Sequence, residues 1–313
     1  MKVSLNTIEQ YIDIDLGVDE LVERINQQLG QVEGVIDLGT KYKDVVVVKV
    51  VECDKHPNAD KLSVCKVDDG GVVADVPRDE KGLVQVVCGA PNARVGIFAA
   101  WLPPKSTVPA SFSDKEPFVL DARELRGVLS QGMLAAPDEL AIGTGHDGIL
   151  EITEDDLPKS IHQAANQNLR PGAKFAELFG LNDTIIDIEN KMFTHRPDCF
   201  GQLGVAREIS AILKGLPMGP DDVDTRFVNP DWYWQKPVFA SGEGLNLTVF
   251  NDTPEKSPRF MAVAIKNVEI KPSPLWLQIE LVRLGSKAIN NVVDITNYMM
   301  LLTAQPSHAY DYD

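Results

Sequence analysis

The sequence has no long apolar run. No stretch approaches the roughly 18 uninterrupted apolar residues that a membrane-spanning helix needs. The first residues carry Glu9, Asp13 and Asp15 where a secretory signal peptide requires an apolar region. These absences argue against a membrane-spanning or a secreted protein. We therefore expect a cytoplasmic protein with no membrane partner.

Cysteines and basic residues are also scarce. The four cysteines lack CxxC spacing and the density of a disulfide scaffold, so we expect reduced thiols that are mostly buried. The 30 Lys and Arg residues are outnumbered by 46 Asp and Glu residues, which gives a formal net charge of -16. Because affinity for phosphates comes mainly from Lys and Arg, this balance argues against a general polyanion binder. Any nucleic-acid function must use a local surface or depend on other chains.

The sequence does contain enough residues for two or three domains, at 313 in total. Residues 41–150 hold several runs rich in β-branched residues, separated by turn residues. These runs are VVVVKVVE (45–52), KLSVCKVD (61–68) and LVQVVCGA (83–90). Several short strands at this spacing predict a small all-β barrel.

Helical and strand-like stretches flank this segment on both sides. Residues 1–40 predict two short helices, the first capped by Asn6 and the second ending before Gly30. Residues 151–215 predict a short helix at 173–179, a strand in TIIDIEN (184–190) and a helix capped by Asp198. We expect residues 1–40 and 151–215 to form one small α/β domain with the barrel inserted between them.

The remainder of the chain predicts a linker and a third domain. Residues 216–244 are rich in Pro, Asp and aromatic residues without periodicity, which is typical of a linker. Residues 245–313 predict strands in LNLTVF (245–250) and FMAVAIKNV (260–268), then a helix with Ser273 as its cap and Pro274 in its first turn. About 70 residues are too few to close a mixed sheet comfortably, so we expect this domain to be incomplete. The predicted fold class is α+β, with several domains.

Three motif blocks, in a characteristic order, carry a family resemblance. The first block comprises VVVVKVVECDKHPNADKLSVCKVD (45–68), VQVVCGAPN (84–92) and ELRGVLSQGMLAA (124–136), and it resembles the tRNA-binding oligonucleotide-binding fold (OB-fold). The second, HRPDCFGQLGVAREI (195–209), resembles the N-terminal domain of bacterial phenylalanyl-tRNA synthetase β subunits. The third, NNVVDITNYMMLLTAQPSHAYD (290–311), resembles the editing module of the same subunits. Together the blocks resemble the N-terminal portion of such a β subunit, truncated within its editing domain.

The resemblance implies a fold and a function. The fold would be an OB-fold β-barrel inserted in a small α/β domain, followed by an incomplete editing domain of the B3/B4 type. The function would be that of a phenylalanine–tRNA ligase subunit, which joins L-Phe to tRNA(Phe) with conversion of ATP to AMP and pyrophosphate. The implied partners are tRNA(Phe) and an α subunit in an α2β2 tetramer. In the family the ATP and phenylalanine site lies on the α subunit, so this chain alone is expected to be inactive and to bind no cofactor. ATP and Mg²⁺ would serve the holoenzyme.

Two other functions are compatible with parts of the chain. A free OB-fold tRNA-binding protein would need residues 41–150 alone, and a free-standing hydrolase would need a complete editing domain. The block at 195–209 separates these hypotheses, because a free tRNA binder has no use for a split domain around its barrel. The β-subunit interpretation accounts for all three blocks.

The OB-fold segment supplies the candidate tRNA-binding residues. They are Lys55, His56, Asn58, Lys61, Arg123, Arg126 and Ser130. Aromatic residues are sparse in this segment, which favours recognition of backbone and shape over base stacking. The alternative is that these side chains only hold loops, since His56 precedes a proline and Asn58 suits a local cap.

The resemblance also implies an editing site at Thr296, Asn297, His308 and Lys287. A pocket for phenylalanine rejects the extra hydroxyl of tyrosine only weakly, so a second site that hydrolyses Tyr-tRNA is needed. His308 would orient the attacking water, and Thr296 and Asn297 would position the ester or the ribose. The family usually has Arg where Lys287 stands, and Lys lacks the planar bidentate fork of Arg. The alternative is that Thr296 and Asn297 satisfy a helix end and that His308 lies in a tight turn.

The sequence predicts neither a metal site nor catalytic residues for aminoacylation. Its five histidines are scattered without ligand spacing. The glycine-containing stretch GTGHDG (143–148) lacks a following helix signal, so it does not predict a phosphate-binding loop.

Overall fold

The computed structural model describes residues 1–158, 168–214, 227–238 and 244–312. The strands are β1 Lys2–Ser4, β2 Val32–Asp37, β3 Val46–Lys55, β4 Ser63–Asp68, β5 Val84–Cys88, β6 Phe98–Leu102, β7 Arg123–Leu125, β8 Val128–Ser130, β9 Met133–Leu134, β10 Glu151–Ile152 and β11 Thr184–Ile188. The α-helices are α1 Leu5–Ile8, α2 Val18–Gln28, α3 Leu38–Tyr42, α4 Phe175–Leu178, α5 Gln202–Lys214, α6 Leu275–Arg283 and α7 Asn291–Thr303. Short 3-10 helices span Pro109–Ser111, Glu154–Asp156, Asn190–Phe193, Pro197–Phe200 and Asp231–Trp234.

A three-stranded antiparallel sheet joins strands from the first 40 residues to β11, which lies beyond the second sheet in the sequence. Its strand order is β1-β11-β2, with Lys2 opposite Asp187 and Val35 opposite Ile186. The predicted strand in TIIDIEN therefore exists, and it lies between two strands from the first 40 residues. The segments before and after the second sheet thus share one sheet and one core.

The second sheet contains all the strands predicted between residues 41 and 150. Its order is β10-β6-β3-β4-β5, every pairing is antiparallel, and β9 pairs with β6. The prediction of a closed barrel is wrong, because the outer strands of this sheet, β5 and β10, do not pair with each other. Near β5 the chain turns at Gly132, whose φ is +74°, and enters β9. Only single hydrogen bonds, such as the one from the Gln131 N–H to the Gln85 carbonyl, link this turn to β5.

Two predicted helix caps are wrong, although the helices themselves exist. The cap of α1 is Ser4, whose hydroxyl accepts the Thr7 N–H, whereas Asn6 donates to the carbonyls of two distant residues. Asp198 lies inside a 3-10 helix that precedes α5, and its carboxylate accepts from Arg196. In both cases a side chain that suits a local cap has a different partner.

The predicted strands at 245–250 and 260–268 are absent. Residues 244–274 form neither helix nor strand, and most of their apolar side chains are exposed, as Phe250 is at 84%. Alternating apolar residues make a strand only when a partner strand accepts their backbone hydrogen bonds, and the described residues provide none here. α6 follows Pro274 as expected, but Ser273 is not its cap, because its hydroxyl donates to Asp294.

The helix α6 packs into the same cores as the first half of the chain. Leu275 and Ile279 join the cluster that contains Tyr42 and Phe175, while Leu277 and Leu281 join the cluster around α2 and α5. A third cluster fills the space enclosed by the second sheet, around Trp101. Among the described residues, no helix is long and apolar enough to cross a membrane.

Candidate nucleic-acid interface

One hairpin connection of the second sheet lies against the turn of a separate two-stranded sheet, in which β7 pairs with β8. The first is the loop between β3 and β4, residues 56–62, and the second is the turn between β7 and β8. That turn consists of Arg126 and Gly127, with φ angles of +49° and +87°. Two consecutive positive φ angles are the signature of a two-residue hairpin turn that matches the twist of its strands. We call these two connections the paired loops.

His56 and Asn58 fasten the paired loops together. The Nδ1 atom of His56 accepts the Asn58 N–H at 3.0 Å, so the ring proton lies on Nε2, which is 3.0 Å from the Leu125 carbonyl oxygen. The Nδ2 of Asn58 donates to the carbonyl oxygen of Arg126 at 3.0 Å. His56 is only 5% exposed, and both of its ring nitrogens are used. Sequence analysis identified both residues but not their attachment to the second loop.

The paired loops and the strand ends beside them carry four exposed basic side chains, which we count with the paired loops from here on. They are Lys55, Lys61, Arg123 and Arg126. None of the four forms an ion pair with any residue that the structure describes. By contrast, five other basic residues between positions 41 and 150 are paired with carboxylates, namely Lys66, Arg78, Lys81, Arg94 and Lys105. The cations that remain available to an external anion therefore include all four on the paired loops.

The pair formed by Arg78 and Asp69 shows why the paired cations are unavailable. Arg78 donates to both carboxylate oxygens of Asp69, at 2.5 and 2.9 Å. Burial alone would raise the pKa of Asp69, but the hydrogen bonds from Arg78 and from the backbone of Val73 and Gly71 hold that pKa below its ordinary value. The carboxylate therefore stays charged and keeps the guanidinium occupied.

Ser130 lies in the interior rather than on the paired loops' surface. Its hydroxyl accepts the Val87 N–H at 2.9 Å and donates to the Gly132 carbonyl at 3.0 Å. Its hydroxyl is therefore committed to the turn that brings the chain from β8 to β9. The structure lends no support to the predicted phosphate contact of this residue.

Few aromatic side chains on this part of the chain are exposed. Tyr42 and Trp101 lie in the core, and Lys49 lies over the ring of Phe98 at 5.7 Å. Phe118 is the one large aromatic residue of 41–150 that is exposed. This distribution agrees with the expectation that any nucleic acid is held through its backbone.

The residues predicted for editing lie at the other end of the chain. Thr296 and Asn297 are on α7, which Asn290 caps by accepting the N–H groups of the next turn. The Thr296 hydroxyl donates to the Val293 carbonyl within the same helix. Lys287 precedes α7, and His308 lies exposed beyond its end. Within residues 244–312, no hydrogen bond joins Lys287 or His308 to Thr296 or Asn297.

The described residues contain no group of three or more His, Cys, Asp or Glu side chains that could hold a metal ion. The stretch 143–148 contains bends and turns, with no helix following it.

The chain matches two known domain families. Residues 45–159 match the tRNA binding domain family, and residues 256–313 match the B3/4 domain family. The first match contains both paired loops, and the second contains all four predicted editing residues.

Curated relatives match over the whole chain. A protein of Symbiobacterium thermophilum is 34% identical over 314 residues, which are 100% of this chain and 31% of the relative. A protein of Gloeobacter violaceus is 34% identical over 100% of this chain and 34% of its own length, and one of Rhodopseudomonas palustris is 35% identical over 99% and 34%. All three are named phenylalanine–tRNA ligase beta subunit. The chain spans about a third of the length of these relatives.

Solved structures resemble the chain only weakly. A Naegleria gruberi RNA ligase with pyrophosphate is 18% identical, covers 47% of this chain and 35% of its own, and has a TM-score of 0.27. A similarity this low supports no argument about fold or function.

Proposed function

Because this chain belongs to the phenylalanine–tRNA ligase beta subunit family, we propose that it provides the tRNA-binding and editing portion of that ligase. The observation that carries the proposal is the similarity at about 34% identity over the entire chain, including the segment outside both matched domains. A free tRNA-binding protein would match through residues 45–159 alone. The whole-chain similarity therefore favours the ligase over the free tRNA binder.

In this proposal the chain contributes to a reaction whose chemical centre lies elsewhere. The ligase joins L-Phe to tRNA(Phe), using ATP and Mg²⁺ at a site on an α subunit, in a cytoplasmic α2β2 assembly. The residues described here bind and orient the tRNA. Co-expression of the longest form of this gene with an α subunit tests the assignment. Phe-tRNA formation that depends on both chains is expected, and failure of the two chains to co-purify would contradict the proposal.

We place the tRNA contact on the paired loops. Their four unpaired cations face solvent on one edge of an otherwise acidic chain, and a phosphate backbone is the ligand that such an edge attracts. Removing one cation that neutralises a phosphate lowers the affinity and reduces the slope of log K against log[salt] by about 0.7–0.9. Lys61→Ala should show both effects. Lys81→Ala is the matched control, since Lys81 is also exposed in a connection between strands of the second sheet but is paired with Glu52 at 2.6 Å.

We propose that Thr296, Asn297, His308 and Lys287 serve the hydrolysis of Tyr-tRNA(Phe) in the full-length subunit. The B3/4 domain match supports this assignment because it includes all four positions. The capped α7 holds Thr296 and Asn297 on one rigid element, while exposed His308 is free to meet a substrate. His308 would orient a water towards the ester, and the two residues of α7 would position the ribose.

This editing proposal is tested on the longest form of the gene together with its α subunit. His308→Ala should abolish Tyr-tRNA hydrolysis and leave Phe-tRNA formation unchanged. His195→Ala is the control, because His195 is exposed but lies outside the B3/4 domain match. Lys287→Arg should accelerate hydrolysis, since it restores a bidentate fork for the tRNA terminus. Full hydrolysis by His308→Ala would remove that residue from the site.

A further inference from the structure

We infer that His56 and Asn58 are positioning residues, which hold the paired loops in one register so that their cations meet a single RNA backbone. This inference rests on the proposed tRNA contact and deepens it. It reassigns two side chains that sequence analysis placed among the direct RNA ligands. The RNA would be recognised by the cations, and the two loops would act as one surface only while they are fastened.

His56 is unsuited to direct contact with RNA. The ring is buried, its Nδ1 accepts a backbone N–H, and its Nε2 lies 3.0 Å from the Leu125 carbonyl oxygen. A phosphate would have to displace one of these bonds and expose the ring. The imidazole instead bridges the start of one loop to the end of β7.

Asn58 acts on the turn that carries Arg126. Arg126 adopts a φ of +49°, a conformation that residues with a side chain adopt rarely and at some energetic cost. The Asn58 amide donates to the carbonyl oxygen of this same residue. The bond therefore supports the turn conformation that sets the direction of the Arg126 side chain. Without it, the turn is free to relax and the guanidinium loses its fixed position.

The expected benefit of this arrangement is preorganisation. Ordering a flexible loop on binding consumes part of the interaction energy, so loops that are already fixed bind more tightly through the same contacts. Loss of the Asn58 bond should therefore weaken tRNA binding, by about fivefold to tenfold, although no RNA contact is removed. If Asn58 contacted the RNA directly, Asn58→Ala would lower the tRNA affinity by a similar factor. Two measurements separate these explanations, one of energetic coupling and one of loop opening.

A double-mutant cycle in the whole chain tests the inference. The affinity for a tRNA(Phe) transcript is measured by fluorescence anisotropy for Asn58→Ala, Arg126→Ala and the double variant. Arg126→Ala removes the cation but keeps the carbonyl that Asn58 holds. If Asn58 acts by holding Arg126 in place, its loss matters less once that cation is gone, so the double variant binds more tightly than the sum of the two single losses predicts. Fully additive losses would mean that Asn58 does not act through Arg126 and would overturn the inference while leaving the proposed interface intact.

A measurement without RNA gives a second test. Hydrogen–deuterium exchange of residues 123–130 should accelerate in Asn58→Ala and remain unchanged in Lys61→Ala, because Asn58 is hydrogen-bonded to the hairpin, whereas Lys61 is not. Unchanged exchange in Asn58→Ala would overturn the inference. If instead Arg126→Ala and Lys61→Ala both leave tRNA affinity intact, the proposed interface itself is wrong and the positioning role fails with it.

Discussion

Replacement of Arg283 by methionine should destabilise the protein strongly. Its guanidinium is almost completely buried and lies 2.5 Å from a Glu280 carboxylate oxygen and 3.2 Å from one of Asp183. It also donates to the Gly180 carbonyl and the Thr7 hydroxyl, which ties α6 to residues from the first half of the chain. Methionine replaces the aliphatic part of the arginine side chain and lacks the charged guanidinium. The substitution would therefore leave two buried carboxylates without their cation.

The burial of Arg283, Glu280 and Asp183 determines how much stability the substitution removes. Removing one partner of a buried ion pair costs about 3–5 kcal/mol, whereas an exposed pair contributes about 0–1 kcal/mol. The pair of Arg94 and Glu151 provides the matched control, because its charged atoms are also 2.5 Å apart but its side chains are 56% and 33% exposed. For a unit of this size, Arg283→Met should lower the unfolding midpoint by roughly 6–20 °C. Arg94→Met should lower it by only a few degrees at most.

The stability that Arg283→Met removes should increase as the pH rises. Burial raises the pKa of the Asp183 carboxyl, and the positive charge of Arg283 opposes that rise. Without Arg283 the folded-state pKa rises further above its unfolded value. A carboxyl of this kind stabilises the fold most at low pH, and the contribution is lost as the pH rises through the folded-state pKa. Arg283→Met should therefore cost more at about pH 8 than at about pH 5.

The assay is thermal unfolding followed by circular dichroism, for both variants and the unchanged protein at both pH values. A loss for Arg283→Met that is no larger than for Arg94→Met would refute the argument from burial. An equal loss at the two pH values would refute the role of the uncompensated carboxylates while leaving the packing of α6 as the cause.

Two other predictions concern the buried hydroxyl of Ser130 and the reactivity of the cysteine thiols. Ser130→Ala should cost about 1–3 kcal/mol, because it leaves the buried Val87 N–H without an acceptor, and it should not change tRNA affinity. Weaker tRNA binding with unchanged stability would contradict this. Alkylation of the native protein with iodoacetamide, read by mass spectrometry, should modify half-exposed Cys53 first. Cys65 and Cys199 should react slowly, since they are buried and burial raises the pKa of both thiols, to about 11 for Cys199. Rapid modification of either in the folded protein would contradict their buried positions.

Most of the predicted strands have partners close by in the sequence, although β11 was also predictable and its partners β1 and β2 lie in the first 40 residues. β3, β4 and β5 follow one another along the chain, and each pairs with the next. The same alternation at 245–250 and 260–268 produced no strand, because periodicity specifies only which face of a strand is apolar. A strand also requires a neighbour to accept its backbone hydrogen bonds, and that neighbour is not visible in a local pattern.

The roles of polar side chains were harder to predict than the elements that carry them. Asn6 has the composition of a helix cap, yet its amide reaches carbonyls more than 170 positions away. His56 and Ser130 look like RNA ligands within their motif, but both side chains are buried and hydrogen-bonded to backbone groups of other segments. Burial depends on packing between distant segments, which a local sequence pattern does not reveal.

The acidic composition of the chain is compatible with RNA binding because screening makes electrostatics local. At physiological ionic strength the interaction between exposed charges fades beyond about 8 Å, so most of the net charge of -16 has little effect at the paired loops. The charges that act at the paired loops are the nearby ones, and Asp60 and Glu124 are exposed there among the four cations. With these two carboxylates among four cations, the patch keeps an excess of positive charge. We expect affinity to depend both on this local charge, which the salt dependence of binding measures, and on the fastening of the loops, which places each cation.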